Sequence, residues 1–136
     1  MIIADTSGLI AFFSKSGSQH EAVTAWIGTH DPVMVVSPYV LAEVDYLVAT
    51  RKGTDAELAV LAELSGGAYE LARMDAPDVV EARRVVERYR DLGVGLADAS
   101  IAVLAQRYRT RTVLTLDRRH FGVMRPLDGG TFTIVP

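Results

Sequence analysis

Short apolar runs alternate with longer amphipathic segments along this chain. The runs predict buried strands, because a strand that is covered on both faces has no polar side. They lie at residues 2–4, 33–36, 69–71, 112–116 and 131–135. Between them, apolar residues recur every three or four positions, which is the spacing of one helix face. Helices are predicted from Thr6 to before Gly17, over 18–27, from Pro38 to before Gly53, and over 55–64, 78–92 and 97–108.

The residues at the ends of these segments support the same division. Ser37 suits a helix N-cap and Pro38 the first helical position, while Gly53 favours a helix end. Strands separated by helices predict βαβ units, and therefore a mostly parallel sheet with helices on both faces. We expect residues 1–136 to form a single three-layer α/β domain.

The composition excludes several classes of site. The chain has 136 residues, 49% of them hydrophobic, and no cysteine. Disulfides, thiolate zinc sites and cysteine nucleophiles are therefore excluded. The N-terminus has no basic segment followed by an apolar stretch, and no run reaches the roughly 18–20 apolar residues that span a bilayer. We expect a cytoplasmic protein with no membrane partner.

The charge is distributed unevenly. The formal net charge is −3, which by itself argues against binding to nucleic acid. Residues 107–125, however, hold six arginines against one aspartate. An acidic pocket beside these arginines would suit a phosphodiester substrate, since cations fill the pocket and arginines bind the flanking phosphates. The alternative is that these arginines form an ordinary solvated surface.

Four carboxylates are predicted to meet at one edge of the sheet. Asp5 follows the first strand, Asp117 follows a late strand, and Asp98 begins a helix after a glycine loop. Glu43 lies in the second turn of the helix that Pro38 opens. Ligands of parallel sheets bind at the carboxyl ends of the strands. Clustered carboxylates repel one another until a hard divalent cation binds, so this set points to metal-assisted phosphodiester hydrolysis.

Each acid also has a purely structural explanation. Asp5 and Asp98 are both at positions that suit a helix N-cap, and Asp117 suits an Asx turn. Glu43 alone resembles any glutamate on a helix surface. Asp45, two positions further along the same helix, points to a different face and is not assigned to the site.

The order and spacing of four motifs resemble a known family. They are the segment from Ile3 to Ser7, the segment from Ser37 to Glu43, Leu96-Ala97-Asp98-Ala99, and the segment from Leu114 to Phe121. Each motif is weak alone, but all four in this order are specific. The chain resembles PIN-domain ribonucleases, in particular the VapC-type toxins of bacterial toxin–antitoxin pairs.

The resemblance implies a PIN-like fold and endonucleolytic cleavage of structured RNA, transfer or ribosomal, with Mg²⁺ or Mn²⁺. It makes Asp5, Glu43, Asp98 and Asp117 the catalytic metal ligands and Thr115 a supporting polar residue. It also implies a homodimer and a cognate antitoxin that wraps the helical surface of the toxin.

Other residues bear on the expected partners. Arg118, Arg119 and His120 follow Asp117 directly, and we expect them to contact RNA phosphates. Five aromatic residues on the early helices are expected to be mostly core, or to form a groove for an antitoxin helix if several are exposed together. They are Phe12, Phe13, Trp26, Tyr39 and Tyr46.

Three other functions compete with the nuclease. A HAD-type phosphatase needs a second acid two residues after Asp5, where this chain has Ser7. A flavodoxin-like phospho-acceptor usually has a lysine at a late strand end, where this chain has Asp117 and two arginines. A non-catalytic module that binds only RNA or protein would gain nothing from four convergent acids.

Overall fold

The computed structural model describes residues 1–136, which form five strands and seven helices. The strands are β1 (Ile2–Ala4), β2 (Met34–Val36), β3 (Tyr69–Leu71), β4 (Thr112–Leu114) and β5 (Thr133–Val135). The helices are α1 (Thr6–Phe13), α2 (His20–His30), α3 (Pro38–Lys52), α4 (Thr54–Ser65), α5 (Ala76–Arg88), α6 (Leu96–Arg107) and α7 (Arg118–Phe121), with a 3₁₀ turn at Arg90–Leu92. Every predicted strand and helix is present, and α7 is additional.

The five strands form one parallel sheet in the order β3-β2-β1-β4-β5. Central strand β1 pairs through Ile3 with Val35 on one side and with Val113 on the other. The chain therefore runs outward from β1 to β3 and then crosses back to β4 and β5. This reversal lies between β1 and β4, and such switch points are where open parallel sheets bind their ligands.

A single cluster of 30 buried apolar residues forms the core. All residues of β1 and β2 are buried, as the two-sided cover of a parallel sheet requires. Helix α6 contacts β1, α3 and α5, and residues 99–105 within it are all buried. A helix enclosed in this way can be apolar or small on every side. None of the seven helices combines the length and apolar character needed to cross a bilayer.

Element boundaries follow local hydrogen bonding. Ser37 caps α3 as predicted, because its hydroxyl accepts a hydrogen bond from the Tyr39 amide at 3.1 Å. Strand β4 ends two residues earlier than predicted, since the Leu116 amide donates to the Ser7 hydroxyl at 2.9 Å instead of extending the strand. Helix α7 was not predicted because its four residues are too short to show a periodic pattern.

Candidate active site

An open cleft of about 630 Å³ lies at the carboxyl ends of β1 and β4. Asp5, Glu43, Asp98 and Asp117 all line it, so the structure brings the four predicted acids to one place. Each arrives from a different element: the end of β1, the second turn of α3, the first turn of α6, and the residue before α7. The switch point of the sheet therefore coincides with the greatest concentration of predicted site residues.

Asp5 is buried, with 4% of its surface exposed, and two hydroxyls hold it. Thr115 Oγ1 donates to Asp5 Oδ2 at 2.7 Å, and Ser7 Oγ donates to the same oxygen at 3.1 Å. Because each hydroxyl has a single proton and both protons point to Asp5, the 3.1 Å contact between the two hydroxyls is not a further hydrogen bond. The carboxylate therefore has a fixed orientation.

The same hydroxyls also accept hydrogen bonds from the chain that follows β4. Ser7 Oγ accepts from the Leu116 amide and Thr115 Oγ1 from the Asp117 amide, each at 2.9 Å. This network links the start of α1 to the loop that carries Asp117. The two segments are also close in space, because a Cβ on Gly8 would lie 2.5 Å from the Leu114 carbonyl oxygen. Only glycine allows α1 to approach β4 this closely.

Asp98, Asp117 and His120 form the tightest group in the cleft. His120 Nδ1 lies 2.9 Å from Asp98 Oδ2 and 2.9 Å from Asp117 Oδ2. One ligand atom from each of the three residues falls within 4.8 Å of the others, which is close enough to hold one metal ion. Asp117 is fixed as the N-cap of α7, where Oδ1 accepts from the His120 amide at 2.9 Å.

The two nitrogens of the His120 ring have different surroundings. Nε2 lies 3.1 Å from the Leu92 carbonyl oxygen, and since a carbonyl only accepts, Nε2 carries a proton. Nδ1 is buried and has no well-aligned hydrogen-bond partner, although both carboxylates are near it. The sequence predicts that His120 contacts RNA together with Arg118 and Arg119; in the structure its ring lies against Asp98 and Asp117.

Burial and mutual repulsion both act on the carboxyl groups. Burial, followed by the charges of Asp5 and Asp117, raises the pKa of Asp98 to about 6, although His120 opposes the shift. Burial also raises the pKa of Asp5, and the hydrogen bond from Thr115 reduces this effect. A cation bound among these carboxylates would favour their ionised forms and so lower both pKa values.

Glu43 has a different position from the other acids. It lines the cleft from α3, but its side chain is exposed and lies outside the close group of Asp98, Asp117 and His120. The first turns of α3 are tied to α6 by a buried hydrogen bond of 2.7 Å between the hydroxyls of Ser37 and Ser100. This bond fixes the helix of Glu43 relative to the helix of Asp98.

The arginines of residues 107–125 are distributed over several surfaces and do not form one patch. Arg107 pairs with Asp78 at 2.8 Å, and Arg111 lies 3.3 Å from Asp128. Arg118 and Arg119 are exposed at the start of α7, directly after Asp117. Arg51, at the end of α3, lines the cleft as well. The positive charge near the cleft is therefore smaller than the sequence suggested.

The early aromatic residues lie mostly against the core, as expected. Phe12, Phe13 and Trp26 pack on it, Tyr39 is partly buried, and only Tyr46, at 68%, is largely exposed. The five residues therefore do not share an exposed groove. A separate groove of about 500 Å³ lies next to the cleft; its apolar lining residues are Ile10, Phe13, Leu47, Val48, Ala56 and Val60.

The sequence does not predict that Ser7, Arg51 and the ring of His120 reach the cleft. For His120 a signal was available, since it lies three positions after Asp117, the spacing at which helical neighbours meet. No local signal marks Ser7 or Arg51, because their approach to the cleft depends on how distant segments pack.

Comparison with known proteins gives consistent matches. The family model described as the PIN domain matches residues 2–125. Over 135 residues the chain is 56% identical to Ribonuclease VapC26 of Mycobacterium tuberculosis (strain ATCC 25618 / H37Rv). That alignment covers 99% of this chain and 100% of the relative.

Solved structures share the same architecture. VapC20 of Mycobacterium tuberculosis, described as a sarcin-ricin loop cleaving toxin, superposes with a TM-score of 0.79 at 20% identity, over 86% of this chain and 90% of that chain. A toxin–antitoxin complex from Klebsiella pneumoniae gives 0.72 at 18% identity, over 100% and 97%. These likenesses confirm the predicted PIN-like three-layer fold, with a parallel sheet flanked by helices.

Proposed function

This chain belongs to the PIN domain family, and from that premise we propose that it is a metal-dependent endoribonuclease acting as the toxin of a toxin–antitoxin pair. The observation that carries the proposal is the convergence of Asp5, Asp98 and Asp117 in one cleft at the switch point of the sheet. The full-length relative at 56% identity bears the name of a ribonuclease. We further propose that the chain acts in the cytoplasm on structured transfer or ribosomal RNA.

The residues of the cleft fit a divalent cation, which we propose is Mg²⁺ or Mn²⁺. They offer carboxylate oxygens at close range, an Asp98 whose pKa is raised to about 6, and a buried His120 nitrogen without a hydrogen-bond partner. We propose Asp5, Glu43, Asp98 and Asp117 as its ligands. Such a cation supplies positive charge that activates water and stabilises the transition state of phosphodiester hydrolysis.

The chain positions these groups before RNA arrives. Thr115 and Ser7 hold Asp5 in one orientation, and the α7 cap holds Asp117. Arg118 and Arg119, exposed beside the cleft, are proposed to bind phosphates on either side of the scissile bond. Pre-oriented groups lower the barrier because they need not reorganise when charge develops on the phosphate.

The test is cleavage of total cellular RNA by the purified, partner-free protein with Mg²⁺, with Mn²⁺ and with EDTA. We expect discrete fragments that require metal and disappear in Asp5→Asn and Asp98→Asn. Asp91→Asn is the matched control, because Asp91 is exposed and lies outside the cleft. Fragments that persist in EDTA or in Asp98→Asn would contradict the assignment. A folded protein that binds RNA but never cleaves it would favour the non-catalytic module.

We also propose a cognate antitoxin and a homodimer as partners. The groove beside the cleft suits one face of an antitoxin helix, and it shares Ile10, Leu47 and Arg51 with the cleft. A Klebsiella relative of the same fold was solved as a toxin–antitoxin complex. Ala56 lines this groove but not the cleft, so we expect Ala56→Arg to weaken the antitoxin complex, measured by calorimetry, and to leave RNA cleavage unchanged. Light scattering of the purified protein tests the dimer.

A further inference from the structure

We propose that His120 is a ligand of the catalytic cation through Nδ1, together with Asp98 and Asp117. The proposal rests on the metal-dependent function proposed above and adds a nitrogen ligand to the four carboxylates. Oxygen ligands suit Mg²⁺, whereas imidazole nitrogen is a ligand for first-row transition metals. The nitrogen therefore raises the affinity of this site for Mn²⁺ and Co²⁺ more than its affinity for Mg²⁺.

The spacing of the three side chains fits neighbouring positions around one ion. Nδ1 lies 2.9 Å from one oxygen of Asp98 and 2.9 Å from one oxygen of Asp117. Adjacent ligand atoms of an octahedral ion with bonds of about 2.1 Å lie about 3.0 Å apart. The nitrogen already has nearly this separation from each carboxylate oxygen, and all three ligand atoms lie within 4.8 Å of one another, so a cation can bind with little movement of the side chains.

The Nδ1 atom has no other partner in the protein. It is buried and lacks an aligned hydrogen bond, whereas buried ring nitrogens are normally paired. Its lone pair faces two carboxylate oxygens when Nε2 alone carries the proton, which is an unfavourable arrangement unless positive charge lies between them. A metal ion satisfies the nitrogen and both carboxylates at once.

The second nitrogen of the ring, Nε2, makes the kind of hydrogen bond that is typical of metal-ligating histidines. Such residues usually donate the proton of the second nitrogen to a carbonyl or carboxylate, which fixes the tautomer and the ring orientation. Here Nε2 donates to the Leu92 carbonyl at 3.1 Å. Gly93 follows with φ of 74°, a left-handed conformation that ends the 3₁₀ turn immediately after this carbonyl.

The backbone of His120 is equally well fixed. Its amide is bound by Asp117 Oδ1 at 2.9 Å, and the next residue, Phe121, is 1% exposed and packs edge-on against Phe132. These contacts fix the backbone position from which the ring extends, and the hydrogen bond from Nε2 to the Leu92 carbonyl holds the ring itself. This rigidity is what a pre-organised ligand needs.

The competing explanation is that the ring acts only as a positively charged group that occupies the place of the cation between the acids. The two explanations predict opposite effects of removing the ring. If His120 is a ligand, its loss weakens cation binding. If it competes with the cation, its loss strengthens binding.

The direct test is electron spin-echo envelope modulation of Mn²⁺ bound to the full-length, RNA-free protein. A coordinated imidazole gives a ¹⁴N modulation, which must change when the histidines are labelled with ¹⁵N. This comparison uses the wild-type protein and needs no variant to fold. We expect the histidine modulation in wild type and in His30→Gln, and its loss in His120→Gln. His30 is the matched control because it is exposed and stacks on Trp26.

Titrations of Mn²⁺ and Mg²⁺, followed by electron paramagnetic resonance and calorimetry, give the second readout. Loss of the ligand should weaken Mn²⁺ binding by about 10–100-fold and Mg²⁺ binding by clearly less. Bound Mn²⁺ without histidine modulation would overturn the proposal and leave the proposed nuclease intact. Tighter binding in His120→Gln would also overturn it. A protein that binds neither cation would refute the proposed metal-dependent function as well.

Discussion

Replacing Asp98 by asparagine should make the metal-free protein more stable while abolishing its cleavage of RNA. Burial and the neighbouring charges of Asp5 and Asp117 raise the pKa of Asp98 from 3.8 to about 6, and His120 only partly opposes them. A folded-state pKa above that of the unfolded chain means that the ionised carboxylate costs stability in the native state. Asparagine has nearly the same shape and carries no charge.

The free energy that the ionised Asp98 carboxylate costs the native state follows from the size of its pKa shift. A rise in pKa from 3.8 to about 6 corresponds to about 3 kcal/mol at a pH well above 6. The new amide protons will find imperfect partners, so we expect a net gain of about 2 kcal/mol for Asp98→Asn. With an unfolding entropy of about 2.1 cal/mol/K per residue, this gain raises the melting temperature by roughly 7 °C.

The gain in stability of Asp98→Asn over wild type must increase as the pH rises. Between about pH 4 and pH 6 the native protein holds a proton on Asp98 that the unfolded chain releases, so wild-type stability rises as the pH falls through this window. Asp98→Asn lacks this contribution. The two proteins should therefore differ most at pH 8 and converge near pH 4.

The assay is urea unfolding of both proteins in EDTA at pH 8, 6 and 4, with Asp91→Asn as the control for an aspartate outside the cleft. A variant that is less stable than wild type at pH 8, or a difference that is the same at every pH, would refute the reasoning. Adding Mn²⁺ should stabilise wild type more than Asp98→Asn, because an ion stabilises the state that it binds and the variant lacks one of the proposed ligands.

Three further predictions concern the elements around the cleft. Thr115→Val removes two hydrogen bonds and should cost about 2–3 kcal/mol in urea unfolding together with most RNA cleavage, whereas Thr115→Ser should retain both. Gly8→Ala puts a methyl group 2.5 Å from a strand carbonyl and should cost about 3 kcal/mol in the same assay; a neutral result would show that α1 can shift. Arg118→Gln and Arg119→Gln should each reduce the slope of log affinity for RNA against log salt by about 0.7, while the exposed Arg84→Gln should leave it unchanged.

Much of the fold could be predicted because its signals are local. Apolar runs such as the one at residues 2–4 identify buried strands, and the Ser37-Pro38 pair identifies the start of a helix. The strand order could not be predicted in the same way. It depends on pairs such as Ile3 with Val113, and no local pattern records which distant strand will pair with β1.

The residues of the site also differ in whether local sequence patterns predict them. The positions of Asp5 and Asp117 could be predicted because both follow strands, and parallel strands end at one edge of the sheet. The hydrogen bond from Thr115 to Asp5 spans 110 residues and appears only when β4 lies beside β1. The inward orientation of His120 depends on a four-residue helix that is too short for its periodicity to be recognised.

The pairing of β1 with β4 has a consequence for the synthesis of this protein. Asp5 is synthesised well before Asp98, Thr115 and Asp117, which lie close to β4 or on the helix before it. The cleft can therefore form only after Asp117 has left the ribosome and β4 has paired with β1. A nascent chain that carries Asp5 but has not yet reached Asp98 holds only part of the acidic group.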